Sequence, residues 1–201
     1  TSIEQQSKGK KDGEIRYFTP LNIDIPAPLH NKNKVQIQLL KDSGDGRLWI
    51  GSTYGLSLYD PIKHSIEAIK NPDNQSELFS LAIKSLVIDK NGLVWVGTNN
   101  GLYSIDVDVF KIKKFTPHID DFKEIFQGVI WNLAIADNGS IEVSTQQGVF
   151  NLEKKNNSYQ LNLNHPLKHV NWSSTLTKDK QGRLWSNAGI YNYKTNKSTP
   201  L

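Results

Sequence analysis

The sequence predicts an all-β chain folded as a β-propeller, with four-stranded antiparallel blades in about four repeats of a larger ring. Three observations predict it. A glycine-centred turn recurs at Gly46, Gly92, Gly139 and Gly182, with spacings of 46, 47 and 43 residues. A second glycine follows nine residues on at Gly55, Gly101 and Gly148, and seven on at Gly189, so the fourth loop is expected to be two residues shorter. Short apolar and aromatic runs flank both glycines, and no stretch carries a convincing 3.6-residue period. A repeat in the mid-forties with several short strands per unit is the spacing of propeller blades.

The second copy shows how each unit divides. Leu81 to Ile88 is an apolar run, and Asp89-Lys90-Asn91-Gly92 is a turn whose glycine supplies a positive φ. Leu93 to Val96 makes a second strand, Thr98 to Gly101 a second turn, Leu102 to Ile105 a third strand and Lys111 to Phe115 a fourth. Trp49, Trp95 and Trp185 each stand three residues after a turn glycine and are expected to be buried between blades. In the third copy Glu142 holds that place. Residues 1–13 read as a flexible polar leader and 14–201 as the propeller segment. Glu14 to Pro20 echoes Lys111 to Pro117, so the segment is expected to open with the outer strand of an earlier blade. Its other blades would then come from a longer chain or a second copy.

Composition narrows the function classes. The 201 residues are 37% hydrophobic and hold no cysteine, which excludes disulfides, thiol nucleophiles and zinc–thiolate sites. No run of about 18 apolar residues is present to cross a membrane as a helix. A membrane link is therefore expected only through the rest of the full-length protein. Methionine is absent and the chain begins Thr1-Ser2, so it is expected to be a processed or excised piece. The net charge of +4 is scattered, and its one cluster (Lys8, Lys10, Lys11) lies in the leader. That is solvated surface charge, and no nucleic-acid partner is expected.

Asp89-Lys90-Asn91-Gly92-Leu93-Val94-Trp95-Val96-Gly97-Thr98-Asn99-Asn100-Gly101-Leu102-Tyr103 resembles the two-component regulator propeller repeat almost throughout. The first copy matches with one extra turn residue. The third carries Ser144 for the motif glycine, and the fourth has Asn187 in place of the threonine. The resemblance implies the extracytoplasmic, periplasmic sensor segment of a hybrid two-component histidine kinase and response regulator. Such sensors commonly have two seven-bladed rings, and many respond to oligosaccharides released from glycans. The segment itself would bind and not catalyse.

Enzyme chemistry finds little support. Arg16, Arg47 and Arg183 cannot converge as a sialidase requires, and only His169 is placed to face a channel as a propeller lyase would need. Calcium loops begun at Asp42 or Asp89 put Gly46 or Leu93 where a ligand must stand, so neither a metal nor a cofactor is expected. No phosphate loop or nucleophile elbow occurs.

If the strands run from inner to outer, the Asp-x-x-Gly turns lie on one face of the ring. The turns between second and third strands lie on the other, with the crossings at 21–33, 71–79, 118–127 and 162–170. That second face carries Tyr54, Asn99, Asn100, Gln146, Gln147 and Asn187, with Trp131 and Trp172 at the start of inner strands. Amides and an aromatic suit sugar hydroxyls and a sugar's apolar face. These eight are the candidate ligand contacts. A propeller serving as a scaffold for protein interaction or dimerisation is the alternative.

Overall fold

A computed structural model describes residues 36–69, 80–109, 111–156, 158–163, 175–187 and 189–200. The expected opening strand at Glu14 to Phe18 lies outside them, as do Trp172, His169 and nearly all of three of the four crossings.

Each repeat folds as one sheet of four strands consecutive in the chain, every neighbouring pair antiparallel. The first is β1 (Ile37–Asp42), β2 (Leu48–Ser52), β3 (Gly55–Asp60) and β4 (Ser65–Ala68). The second is β5 (Ile83–Ile88), β6 (Val94–Thr98), β7 (Gly101–Asp106) and β8 (Lys111–Lys114). The third is β9 (Asn132–Ile135), β10 (Ile141–Thr145), β11 (Gly148–Lys155) and β12 (Ser158–Asn162). The fourth is β13 (Leu176–Lys178), β14 (Arg183–Ser186), β15 (Gly189–Asn192) and β16 (Lys197–Thr199). First strands of successive sheets approach one another, as radial stacking requires. Nine of the described glycines adopt positive φ, all eight predicted turn glycines among them. The one helix among the described residues beyond a 3-10 turn is α1 (Lys123–Gln127), which follows that turn at Asp120–Phe122.

The central strands are buried on both faces, and successive side chains alternate between the two neighbouring sheets. Trp49 faces the second sheet, in a cluster with Leu58, Ile83, Val94, Val96 and Ile105. Trp95 faces the third, with Phe126, Ile130, Leu133, Val143 and Phe150. The joint between third and fourth sheets is smaller: Ala134, Val149, Leu176, Leu184 and Tyr191. Gly51 and Gly97 lie flush against the next sheet. A Cβ on Gly51 would stand 2.8 Å from Ile83 Cγ2, and one on Gly97 would stand 2.8 Å from Ile130 Cγ2.

The fourth unit corrects two expectations. Trp185 is only half-buried, unlike Trp49 and Trp95 at 2% exposure each. It faces the side of the fourth sheet away from the third, where no further sheet stands among the described residues. Its indole N–H donates to Asp179 Oδ2 at 2.8 Å, and the Arg183 guanidinium lies 5.4 Å from its ring. The two missing residues leave the strand and not the loop. Ser186, not Asn187, takes the position of Ser52, Thr98 and Thr145, because all four hydroxyls donate to the glycine carbonyl three residues on. Removing an even number of residues keeps every side chain on its own face.

Thr98 illustrates what that hydroxyl contributes. It is fully buried, donates to the Gly101 carbonyl at 2.8 Å and accepts from the Asn100 N–H at 3.0 Å. Thr98→Val keeps the shape and removes both bonds. It is expected to lower unfolding free energy by about 1 kcal/mol, measured by urea denaturation.

Candidate functional site

The turns between second and third strands cluster at one end of the sheets, opposite the Asp-x-x-Gly turns, as the hairpin order dictates. Their backbone needs are met internally. Ser52, Thr98 and Thr145 each accept a backbone N–H from two residues on, those of Tyr54, Asn100 and Gln147. The side chains at the tips are therefore not needed to hold the turn. Gln146, Gln147 and Asn187 are exposed, Tyr54 is 37% exposed and Asn100 is half-buried.

Asn99 is the exception. Its Oδ1 accepts from the Ala82 N–H at 2.9 Å, and its own N–H donates to the Ala82 carbonyl at 3.1 Å. Asn99 thus clamps the entry to β5, leaving its amide only partly available to a ligand. Trp131 sits immediately before β9, half-buried, with its backbone N–H donating to the Ser144 carbonyl and the Lys84 ammonium 5.9 Å from its ring. The structure therefore places Tyr54, Asn99, Asn100, Gln146, Gln147 and Asn187 at one end of the sheets, and Trp131 at the start of an inner strand. Trp172 lies outside the described residues.

Two features of this rim were not foreseen. The crossing at 118–127 is a 3-10 turn and α1, not an open loop, and its Phe126 is fully buried. Phe122, Ile125 and Phe126 fall at helical spacing, the signal that could have found it. The crossing seals the second sheet's turn: Gly101 N–H donates to the Gly128 carbonyl at 2.8 Å, and a Cβ on Gly101 would stand 2.9 Å from the Phe126 carbonyl oxygen. The second unforeseen feature is the Lys84 ammonium over Trp131.

The opposite face holds a cleft of about 390 Å³ between second and third sheets, bordered by Lys90, Asn91, Asn138, Ser140, Glu153 and Tyr159. Most of its polar groups serve one another. Asp89, beneath it, accepts from the N–H groups of Asn91 and Leu93 and from Tyr159 OH at 2.5 Å. Burial, then this carboxylate, pushes the Tyr159 phenol far above its usual range. Asn138 Oδ1 accepts from the Ser140 hydroxyl, and Glu153 accepts from Asn162 Nδ2 and pairs with Lys155. Its chemistry is that of a joint between sheets. Among the described residues, no group of three or more His, Cys, Asp or Glu side chains is placed to hold a metal ion.

Comparison with known proteins bears on this geometry. The family model "Two component regulator propeller" matches residues 77–100, which carry the second strand, its tryptophan and the turn glycine before it. Residues 77–100 carry the two-component regulator propeller repeat. The extracellular domain of BT3049 from B. thetaiotaomicron, described as a hybrid two component system, matches this propeller with a TM-score of 0.63 at 19% identity. That match covers 83% of this chain and 23% of the other. The extracellular domain of BT4673 from the same organism gives 0.57 at 22% identity, over 75% and 20%. Virginiamycin B lyase from Staphylococcus aureus gives 0.57 at 17% identity, over 84% and 59%. These likenesses establish the propeller fold, and an enzyme stands among them. A different match is short: 24 residues, 12% of this chain, are 88% identical to small ribosomal subunit protein bS18 of Christiangramia forsetii. The chain spans about a quarter of the length of the curated relatives it matches, and about a fifth to a quarter of the two sensor domains.

Proposed function

We propose that this chain is the ligand-recognising propeller segment of an extracytoplasmic two-component sensor, lying in the periplasm and making no covalent change to what it binds. The observation that carries the reading is the rim of turns at one end of the sheets. Ser52, Thr98, Thr145 and Ser186 hold the turns, and that leaves exposed amides and Tyr54 at their tips with Trp131 at an inner strand. Exposed side chains such as Gln146 and Gln147, carried on a rigid scaffold, are the usual equipment of a recognition surface. The repeat family and the likeness to two sensor extracellular domains support the same reading. The proposed ligand is a glycan-derived oligosaccharide, whose hydroxyls suit amides and whose apolar ring faces suit an aromatic side chain. The kinase, the membrane link and the output domains belong, in this reading, to the rest of the full-length protein.

A titration tests it. Oligosaccharide pools released enzymatically from plant and host glycans are added while tryptophan fluorescence is followed. One pool is expected to give a saturable change that Trp131→Ala or the double change Gln146→Ala with Gln147→Ala weakens at least about tenfold. A folded protein giving no saturable change with any pool would overturn the reading.

A second reading has its own observation. Ile37 and Leu40 on β1 are 62% and 58% exposed, an apolar edge of the kind that seeks cover. Further blades or a second copy of the chain would supply it. Sedimentation velocity across a concentration series is expected to show self-association that Leu40→Lys abolishes.

A further inference from the structure

One position recurs at the first strand of three successive sheets and carries three different side chains. Eight residues before the turn glycines Gly46, Gly92 and Gly139 stand Gln38, Lys84 and Trp131. The ladders agree with that count. Leu39 and Ser85 pair with Gly51 and Gly97, so Gln38 and Lys84 each stand one step nearer the rim, where the register shifts. Asn132 pairs with Ser144 in the equivalent place, which puts Trp131 at that step on the third sheet. A register shift of this kind turns a side chain out of the regular alternation of its strand. Because β1 approaches β5 and β5 approaches β9, the three positions form a row along the inner strands.

A single turn fixes two members of the row. Asn99 Oδ1 accepts from the Ala82 N–H at 2.9 Å and the Asn99 N–H donates to the Ala82 carbonyl at 3.1 Å, two residues before Lys84. The neighbouring Thr98 carbonyl accepts from the Ile130 N–H at 2.9 Å, one residue before Trp131. Gly97 lets the two chains close. A Cβ there would run into Ser85 Oγ and stand 2.8 Å from Ile130 Cγ2, and these residues are the chain neighbours of Lys84 and Trp131. The Lys84 ammonium consequently lies over the Trp131 ring, 5.9 Å from its centroid, with both residues half-buried. That distance is at the outer limit of a cation–π contact, about 6 Å, so the ring holds the ammonium weakly. Among the described residues, no carboxylate forms an ion pair with Lys84.

We infer that Lys84 and Trp131 select an acidic oligosaccharide, a sugar ring lying on the indole while its carboxylate or sulfate group pairs with the ammonium. Gln38, exposed at the same position of the first sheet, supplies an amide for a neighbouring hydroxyl. The inference rests on the oligosaccharide reading above and adds the charge of the ligand. An indole face by itself accepts neutral and acidic sugars alike. The ammonium supplies the discrimination, because a neutral sugar seated there strips water from the cation and returns no charge to it.

Titration calorimetry of the whole chain tests the selection. The plant and host glycan pools are first separated by anion exchange into acidic and neutral fractions. Saturable binding is expected from an acidic fraction. Methyl esterification of its carboxylates, or removal of its sulfates, should weaken that binding at least about tenfold, and the effective treatment tells which anion Lys84 meets. Lys84→Gln should weaken the acidic fraction by a similar factor and leave the neutralised one unchanged, whereas Trp131→Ala should weaken both. The comparison of treated and untreated fractions needs no variant, so it stands even if Lys84→Gln fails to fold. Equal binding before and after both treatments, an acidic preference kept in Lys84→Gln, or full binding by Trp131→Ala would each overturn the inference. Binding by neutral fractions alone would also overturn it while leaving the oligosaccharide reading in place, and binding by no fraction would overturn both.

Discussion

Replacing Trp95 by alanine is expected to lower the unfolding free energy by about 3–5 kcal/mol, the range for deleting a large buried aromatic. The indole is 2% exposed, with Tyr159 edge-on at 4.7 Å and Phe115 at 6.1 Å. The surrounding β-strands are tied by their ladders and cannot close on the void. A domain of this kind has about 5–15 kcal/mol in total, so the loss is a large share of it. The same change at Trp185 is expected to cost about 1 kcal/mol, because that indole is half-exposed and gives up one bond to Asp179. Urea denaturation of both variants measures the difference, and equal losses would contradict the assignment of Trp185 to an uncovered face.

The second large effect is expected at Gly97. Its added Cβ would run into Ser85 Oγ in its own sheet and stand 2.8 Å from Ile130 Cγ2 and 3.1 Å from the Ile130 carbonyl oxygen. The carbonyl cannot move, since the Ile130 N–H is bonded to the Thr98 carbonyl at 2.9 Å. Gly97→Val should therefore push second and third sheets apart and destabilise by about 3 kcal/mol. Gly128→Ala is the matched control. Its φ is not in the left-handed region and its nearest neighbour would lie at 3.4 Å, so a change under about 0.5 kcal/mol is expected. Ser144, fully buried in the equivalent place, shows that a side chain fits there only where the whole joint has been rebuilt.

Much of this was legible in the residues. Turn glycines at fixed spacing place the hairpins to within about two residues, because positive φ leaves few alternatives to glycine. The three-residue offset of Trp49 and Trp95 from their turns fixes their face, since the strand period is two. What the sequence hides is what lies across a joint. Trp185 matches the motif as well as Trp95 does, yet its burial depends on the next sheet and not on its own strand. Glu142 is visible as a departure from the repeat, but its partner Tyr193 stands 51 residues away in a turn without a distinctive pattern. The rim shows the same limit. Asn99 and Gln146 are equivalent in sequence, and only the contact with Ala82 separates a structural clamp from an exposed amide.

The wiring of each sheet from four strands consecutive in the chain has a consequence for how the molecule is made. The second sheet needs nothing outside Ile83 to Lys114 to complete its hydrogen-bonded ladder. Contacts so close in sequence form quickly, since little loop entropy must be lost before they are gained. A nascent chain can therefore finish one sheet before the next has been synthesised, and each new sheet finds the face of its predecessor already in place. Assembly then proceeds as vectorial accretion, in which every arriving unit covers the apolar side of the one before it.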